Sequence, residues 1–294
     1  MSLTRTSTSA PEAIHIEHRP ATGARASRDP HAWRVVRSPR PRRFRRVLGV
    51  LPSAVLGVLL LVLWQVLVSS GTVSAFLLPH PSDVARSFWD ALSSGLFWDY
   101  TRTTLTESML GFAAGAAFAL PVGYGIARSP LLARALEPYL AASQAMPSVA
   151  IAPVLVIWLG YGLKAVVVLC ALIVFFPIVV NTALGIRTID RDVIDAARVD
   201  GAHGWSMLRH FEAPLAMPAV LTGLRTSLTL SIIGAVVGEF ILGDQGLGGL
   251  LTIARSNFDT PLVFATLFML MLMASAMYGI ARLIEGRVLR SLEG

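Results

Sequence analysis

The chain has 294 residues, 54% of them hydrophobic and only 15% charged, with a mean hydropathy of +0.64. A soluble domain carries roughly a quarter charged residues, so an ordinary water-soluble enzyme and a disordered protein are excluded and a lipid bilayer is the expected solvent. The net charge is +7, and 11 of the 25 Lys and Arg residues fall in the first 46 positions.

That first stretch is rich in Ser, Thr, Pro and Arg and has no apolar period. It predicts a disordered Arg-rich tail over 1–46 rather than a folded nucleic-acid-binding unit. Six apolar stretches follow, at about 47–68, 104–127, 139–159, 163–185, 217–242 and 262–284. Each can cross about 30 Å of hydrocarbon at about 1.5 Å per residue. They predict an all-α integral membrane domain over 47–290, with six transmembrane helices.

The first stretch, Val47 to Val68, follows Arg42-Arg43-Phe44-Arg45-Arg46 and precedes Val73-Ser74-Ala75, a layout shared with secretory leaders. Its 22 charge-free residues exceed a signal core of roughly 7–15, so it reads as an uncleaved first span. The second is rich in small residues (Gly111, Ala113, Ala114, Gly115, Ala116, Ala117), the composition of a helix packed closely on others. Pro147, Pro153 and Pro177 fall in the third and fourth, where protein or a water-filled cavity must satisfy the freed carbonyls. Cys170, the single cysteine, excludes a disulfide framework and reads as a small buried hydrophobe.

With the N-terminus inside, the inner segments 1–46, 128–138, 186–216 and 285–294 hold 11, 2, 4 and 2 basic residues. The outer segments 69–103, 160–162 and 243–261 hold only Arg86, Arg102 and Arg255. This asymmetry places both termini in the cytoplasm. In the outer loop Leu78-Pro79-His80-Pro81 is extended, and Ser82 and Asp83 are placed to cap a short helix with Val84, Phe88 and Leu92 on one face. Trp89 and Trp98 suit the membrane interface, with substrate contact as the other reading.

The longest cytoplasmic connection runs from Arg187 to Met217. Asp190 and Asp192 favour a helix start, and Val193, Ala197 and Gly201 then fall at i, i+4 and i+8. Such a face of small residues would admit another protein's backbone. Asp190, Asp192, Asp195 and Asp200 would be repelled by anionic lipid, so a protein partner is favoured over a lipid-resting helix. A second short helix, Trp205 to Phe211, leads to Pro214.

Asp195-Ala196-Ala197, Gly201 and Pro214 resemble the "Glu-Ala-Ala, three residues, Gly, nine residues, Ile-x-Leu-Pro" signature of binding-protein-dependent ABC importer permeases. The chain departs from it at Asp195, Phe211 and Ala213, with the spacing intact. Gln144-Ala145-Met146-Pro147, Trp158-Leu159-Gly160-Tyr161-Gly162, Phe176-Pro177-Ile178-Val179-Val180-Asn181-Thr182, Gly238-Glu239-Phe240 and Gly246-Leu247-Gly248 are similar to the nitrate/sulfonate/taurine-type branch. Thr260-Pro261-Leu262-Val263-Phe264-Ala265 and Tyr278-Gly279 are also similar to permeases for thiamine-pyrimidine precursors or riboflavin.

The resemblance implies a type I ABC importer permease fold in the bacterial inner membrane, with segment 187–214 coupling to an ATPase through Asp195, Ala196, Ala197, Gly201 and Pro214. It implies a second permease copy, a pair of ABC ATPase subunits and an extracytoplasmic substrate-binding protein as partners, besides membrane lipid. No nucleic acid is expected, and no cofactor on this chain. The only lysine, Lys164, follows Tyr161-Gly162-Leu163, so no nucleotide phosphate loop is present and ATP belongs on the partner subunit. No enzyme motif is present, and His203 and His210 lack a third ligand nearby.

Candidate pathway residues are Met146, Pro147, Arg225 and Glu239. Intramembrane charges are functional candidates by default, yet Arg225 could snorkel or bind a carbonyl instead of attracting an anion. Glu239 could cap the outer-loop fold instead of serving an outer gate, and Glu107 stays open. A self-contained ion-coupled transporter is the rival reading; it would need coupling charges and an inverted repeat, and no clear repeat is found.

Overall fold

The computed structural model describes residues 44–74, 76–145, 147–242 and 245–293. Residues 1–43 of the expected tail, and Met146, lie outside the described residues. Ala54–Gly294 form one compact unit; in the other, Met1–Ser53, the described part is helical from Phe44.

The described residues form helices α1 (Phe44–Ser69), α2 (Pro81–Ser93), α3 (Leu96–Arg128), α4 (Pro130–Ala145), α5 (Ala152–Leu159), α6 (Leu163–Arg187), α7 (Arg191–Val199), α8 (Gly204–Met207), α9 (Ala213–Leu242), α10 (Gly246–Ser256) and α11 (Thr260–Glu293). A tight turn, Ser148–Ile151, precedes α5, and a widened π turn, Leu208–Glu212, joins α8 to α9. Among the described residues four helices are long and apolar enough to cross a membrane: Leu96–Arg128, Leu163–Arg187, Gly204–Ile241 and Thr260–Ser291. Val55–Ser69 and Val149–Leu159 are shorter apolar helices.

The stretch expected as an unbroken third span, 139–159, is divided. α4 stops at Ala145, Pro147 precedes the tight turn, and α5 has 8 residues. Proline disfavours helical backbone in the residue before it and removes a donor, so the division falls at Pro147. α2 also differs from expectation. His80 is its extended N-cap and Pro81 opens the helix, because proline's fixed φ and missing N–H suit the first helical position. Ser82 and Asp83 therefore sit within the first turn.

α6 lies at the centre, packed between α3 and α9. The small residues of α3 explain the close approach: a Cβ on Gly111 would strike the Cys170 side chain, and one on Gly115 would strike Val174. Val166, Leu169, Cys170, Val174, Ile178 and Val179 of α6 are all buried. A second apolar cluster gathers Val84 and Ala91 of α2, Phe97 of α3, Ile232 of α9, Leu247 and Leu250 of α10, and Ala265 and Met273 of α11. Trp89 and Trp98 project from its rim, exposed, as side chains at a headgroup boundary do.

Candidate functional site

The connection between α6 and α9 is a folded piece with its own small core. Asp190 caps α7 by accepting the Asp192 N–H at 3.0 Å. At the other end Gly201 adopts φ +85°, its N–H donates to the Arg198 carbonyl at 3.0 Å, and the Ala202 N–H donates to the Ala197 carbonyl at 2.9 Å. These two bonds close a helix through a left-handed residue, which is the reason for glycine here. The reversal folds Ala202 and Met207 back over Ala197, with Ile194 and Phe211 against them.

Ala197 is therefore buried and does not share an outward face with Val193 and Gly201. The exposed side of α7 carries Val193, Asp195, Ala196 and Val199; Val199 is 88% exposed and Trp205, on α8, 72%. Asp195 pairs with Arg198 at 2.7 Å on the surface. Pro214 lies at the second position of α9, half-buried. It has no N–H for the His210 carbonyl and follows directly on the π turn, where the helix is already widened.

Three residues not singled out from the sequence fasten this segment to the bundle. Glu212, the last residue of the π turn, is 1% exposed. Its Oε1 receives Arg128 Nη2 at 2.6 Å and its Oε2 receives the Tyr124 hydroxyl at 3.1 Å. Tyr124 and Arg128 stand one turn apart at the end of α3, so both reach one carboxylate. Beside them Arg187, ending α6, donates to the Ile126 carbonyl at 3.1 Å and to Glu137 at 3.0 Å. A signal existed: Glu212 is the only carboxylate between Asp200 and Glu239, and a lone charge at a span entrance needs a partner.

Of the candidate pathway residues, Arg225 and Glu239 are already engaged. Arg225 donates to Glu285 of α11 at 2.7 Å and lies 5.5 Å over the Tyr278 ring. It joins α9 to α11. Glu239 is buried at the start of α10, where its Oε2 accepts the Gly248 N–H at 2.6 Å. The Leu247 N–H donates to Thr104 of α3 at 2.8 Å. Gln245 supplies no side-chain cap to α10, so the orphan amides of its first turn are satisfied by α9 and α3.

A Cβ on Gly246, whose φ is +78°, would strike the Glu239 carboxyl, so the Gly246-Leu247-Gly248 stretch is shaped to that group. Glu107, also buried, lies against the same carboxyl. Pro147 is exposed at the start of the tight turn.

Four helices long and apolar enough to cross a membrane, with a folded polar connection between α6 and α9, are the architecture of a multi-pass membrane protein. Residues 107–290 match the model of the binding-protein-dependent transport system inner membrane component, and the chain belongs to that family. It is a permease subunit of the ABC importer class and a multi-pass inner membrane protein. It is similar to the riboflavin transport system permease protein RibX of Chloroflexus aurantiacus, 47% identical over 257 residues, covering 86% of this chain and 95% of that protein. The putative aliphatic sulfonates transport permease protein SsuC of Bacillus subtilis is 29% identical over 260 residues, covering 88% and 93%. An inward-facing structure of the MetNI methionine ABC transporter shares the fold, with TM-score 0.57 and 18% identity over 67% of this chain and 97% of that one.

Proposed function

We propose that this permease imports a planar nitrogen heterocycle of the riboflavin class, delivered by an extracytoplasmic binding protein and driven by a separate pair of ABC ATPase subunits. The substrate class is supported by the 47% identity to a riboflavin permease across 95% of that protein. Six spans cross the membrane, counting α1 and the broken α4–α5 stretch with the four long helices, and both termini face the cytoplasm. Two copies enclose the pathway. No cofactor is held by this chain, and ATP is bound and hydrolysed on the partner.

One observation carries the coupling role: Val193, Val199 and Trp205 are exposed on an otherwise polar, folded connection. Exposed apolar side chains on such a segment call for a partner. α7 fits as the element seated on the ATPase, with Asp195 and Ala196 in contact, Ala197 and Gly201 shaping it, and Pro214 opening α9. Val199→Glu leaves every internal contact intact. The variant should insert normally yet lose both ATPase copurification and uptake; retention of both would remove α7 from the interface. Uptake of labelled riboflavin by a flavin auxotroph expressing the whole system tests the substrate, and competition by an alkanesulfonate instead would place the chain with the sulfonate permeases.

A further inference from the structure

We infer that Glu212 is a positioning residue that locks α3 to the coupling segment, so that movement of the segment turns α3 and α9 together. The inference rests on the reading of α7 as the element seated on the ATPase. Glu212 ends the π turn between the coupling segment and α9, one of the two covalent routes from α7 into the bundle, the other being the short link of residues 188–190 to α6. α3 and α9 already touch farther along the bundle, where the Ser231 hydroxyl donates to the Ser108 carbonyl at 2.6 Å, but a link at the segment itself needs a side chain that reaches from the π turn to α3. The Glu212 carboxylate supplies the link: one oxygen is held by Arg128 at 2.6 Å and the other by Tyr124 at 3.1 Å, both on the last turns of α3. Two charge-assisted bonds to one planar group fix direction as well as distance.

A second observation shows why a lock is needed there. A cavity of about 680 Å³ adjoins the clamp, lined among others by Pro121 and Tyr124 of α3, Trp205 and Leu208 of the segment, and Met217 of α9. It is largely apolar and open, and it leaves room for the segment to swing toward α3 without carrying α3 along. The π turn adds slack of its own, since a wider turn is a frequent point of adjustment within a helix. With Glu212 in place, the segment is tied to α3 at the edge of the cavity through Tyr124, which lines the space and bonds the carboxylate. The segment then pushes on the bundle instead of collapsing into the space.

The test compares wild type, Glu212→Ala and Tyr124→Phe in the complete importer, with ATPase and binding protein, reconstituted in lipid vesicles. Uptake per ATP hydrolysed is the first readout. Glu212→Ala should lower that ratio by about fivefold or more, the range of a typical coupling energy, while ATP hydrolysis persists. Tyr124→Phe, which removes one bond and strands no charge, should give an intermediate ratio. The second readout is the distance between spin labels at Ser129 and His210, either side of the clamp. It should stay single and unchanged on ATP binding in wild type, and change with ATP in Glu212→Ala.

A wild-type uptake ratio in both variants, or a label distance insensitive to loss of Glu212, overturns the inference. If Glu212→Ala fails to assemble, Tyr124→Phe decides by the same two readouts. Failure of the ATPase to copurify with the wild-type chain is a different result: it overturns the docking of α7 on which the inference rests.

Discussion

Asp195 and Glu212 are both acidic, both ion-paired and seventeen residues apart, yet their surroundings set opposite energetics. Asp195 and Arg198 are more than half exposed, and a solvent-screened pair of this kind contributes at most about 1 kcal/mol. Asp195→Asn should therefore leave thermal unfolding of the purified permease within about 1 kcal/mol of wild type. A loss of uptake in that variant would then report a lost partner contact. Glu212 is enclosed, and removing it leaves Arg128 and Tyr124 without their acceptor. With Arg128 partly in solvent, the cost of Glu212→Ala should fall near the low end for broken buried pairs, about 3 kcal/mol, read as a lowered unfolding midpoint.

The residue types were legible where the local backbone demands them and opaque where a distant helix does. Gly201 announces a helix stop, and the left-handed turn there follows from glycine's freedom at positive φ. Val193, Ala197 and Gly201 share a periodic face on paper, but Ala197 is turned inward by that same stop. Periodicity describes a continuous helix, and α7 ends before the face is complete.

At the level of elements, α10 is the clearest case of a helix whose beginning is made elsewhere. Its first-turn amides are held by Glu239 of α9 and Thr104 of α3, and its glycines leave room for the carboxyl. Glu239→Gln keeps an oxygen acceptor and should preserve α10. Glu239→Leu strands the Gly248 amide, at a cost of about 1–3 kcal/mol, and hydrogen exchange at Gly248 should accelerate by the corresponding factor, with Leu247, held by Thr104, as the internal control. Unchanged protection in Glu239→Leu would exclude the capping role. Of the two sequence readings of Glu239, the cap is the one that this geometry supports.

The division of the third span is an element-level result with a legible cause. Pro147 and Pro153 stand in the sequence: Pro147 is extended where the run divides, and Pro153 sits in the first turn of α5, where a missing N–H costs no bond. Hydropathy alone counts the stretch 139–159 as one run because it registers transfer to lipid and is blind to the missing donors.

Across the whole molecule, Arg225 changes its meaning once α11 is in place. From the sequence it was a lone cation in a span, open to an anion in transit. In the fold it joins α9 to α11 through Glu285 and Tyr278. Arg225→Ala and Glu285→Ala should accordingly impair uptake to similar degrees, and the double variant should be little worse than either, since a double-mutant cycle exposes such pairing. An anion-attracting role would instead make Arg225→Ala severe and Glu285→Ala mild.

The sequence by itself determined the solvent, the all-helical class, the family and the place of the polar connection. Those depend on composition, run length and short spacings, which are properties of neighbours along the chain. Only the tertiary structure decided which charges are spoken for: Arg225 with Glu285, Glu239 with the Gly248 amide, Glu212 with Tyr124 and Arg128. Each of those partnerships joins residues 9 to 88 positions apart. In a low-dielectric bundle a buried charge must find a partner, but the helix that supplies it is chosen by packing.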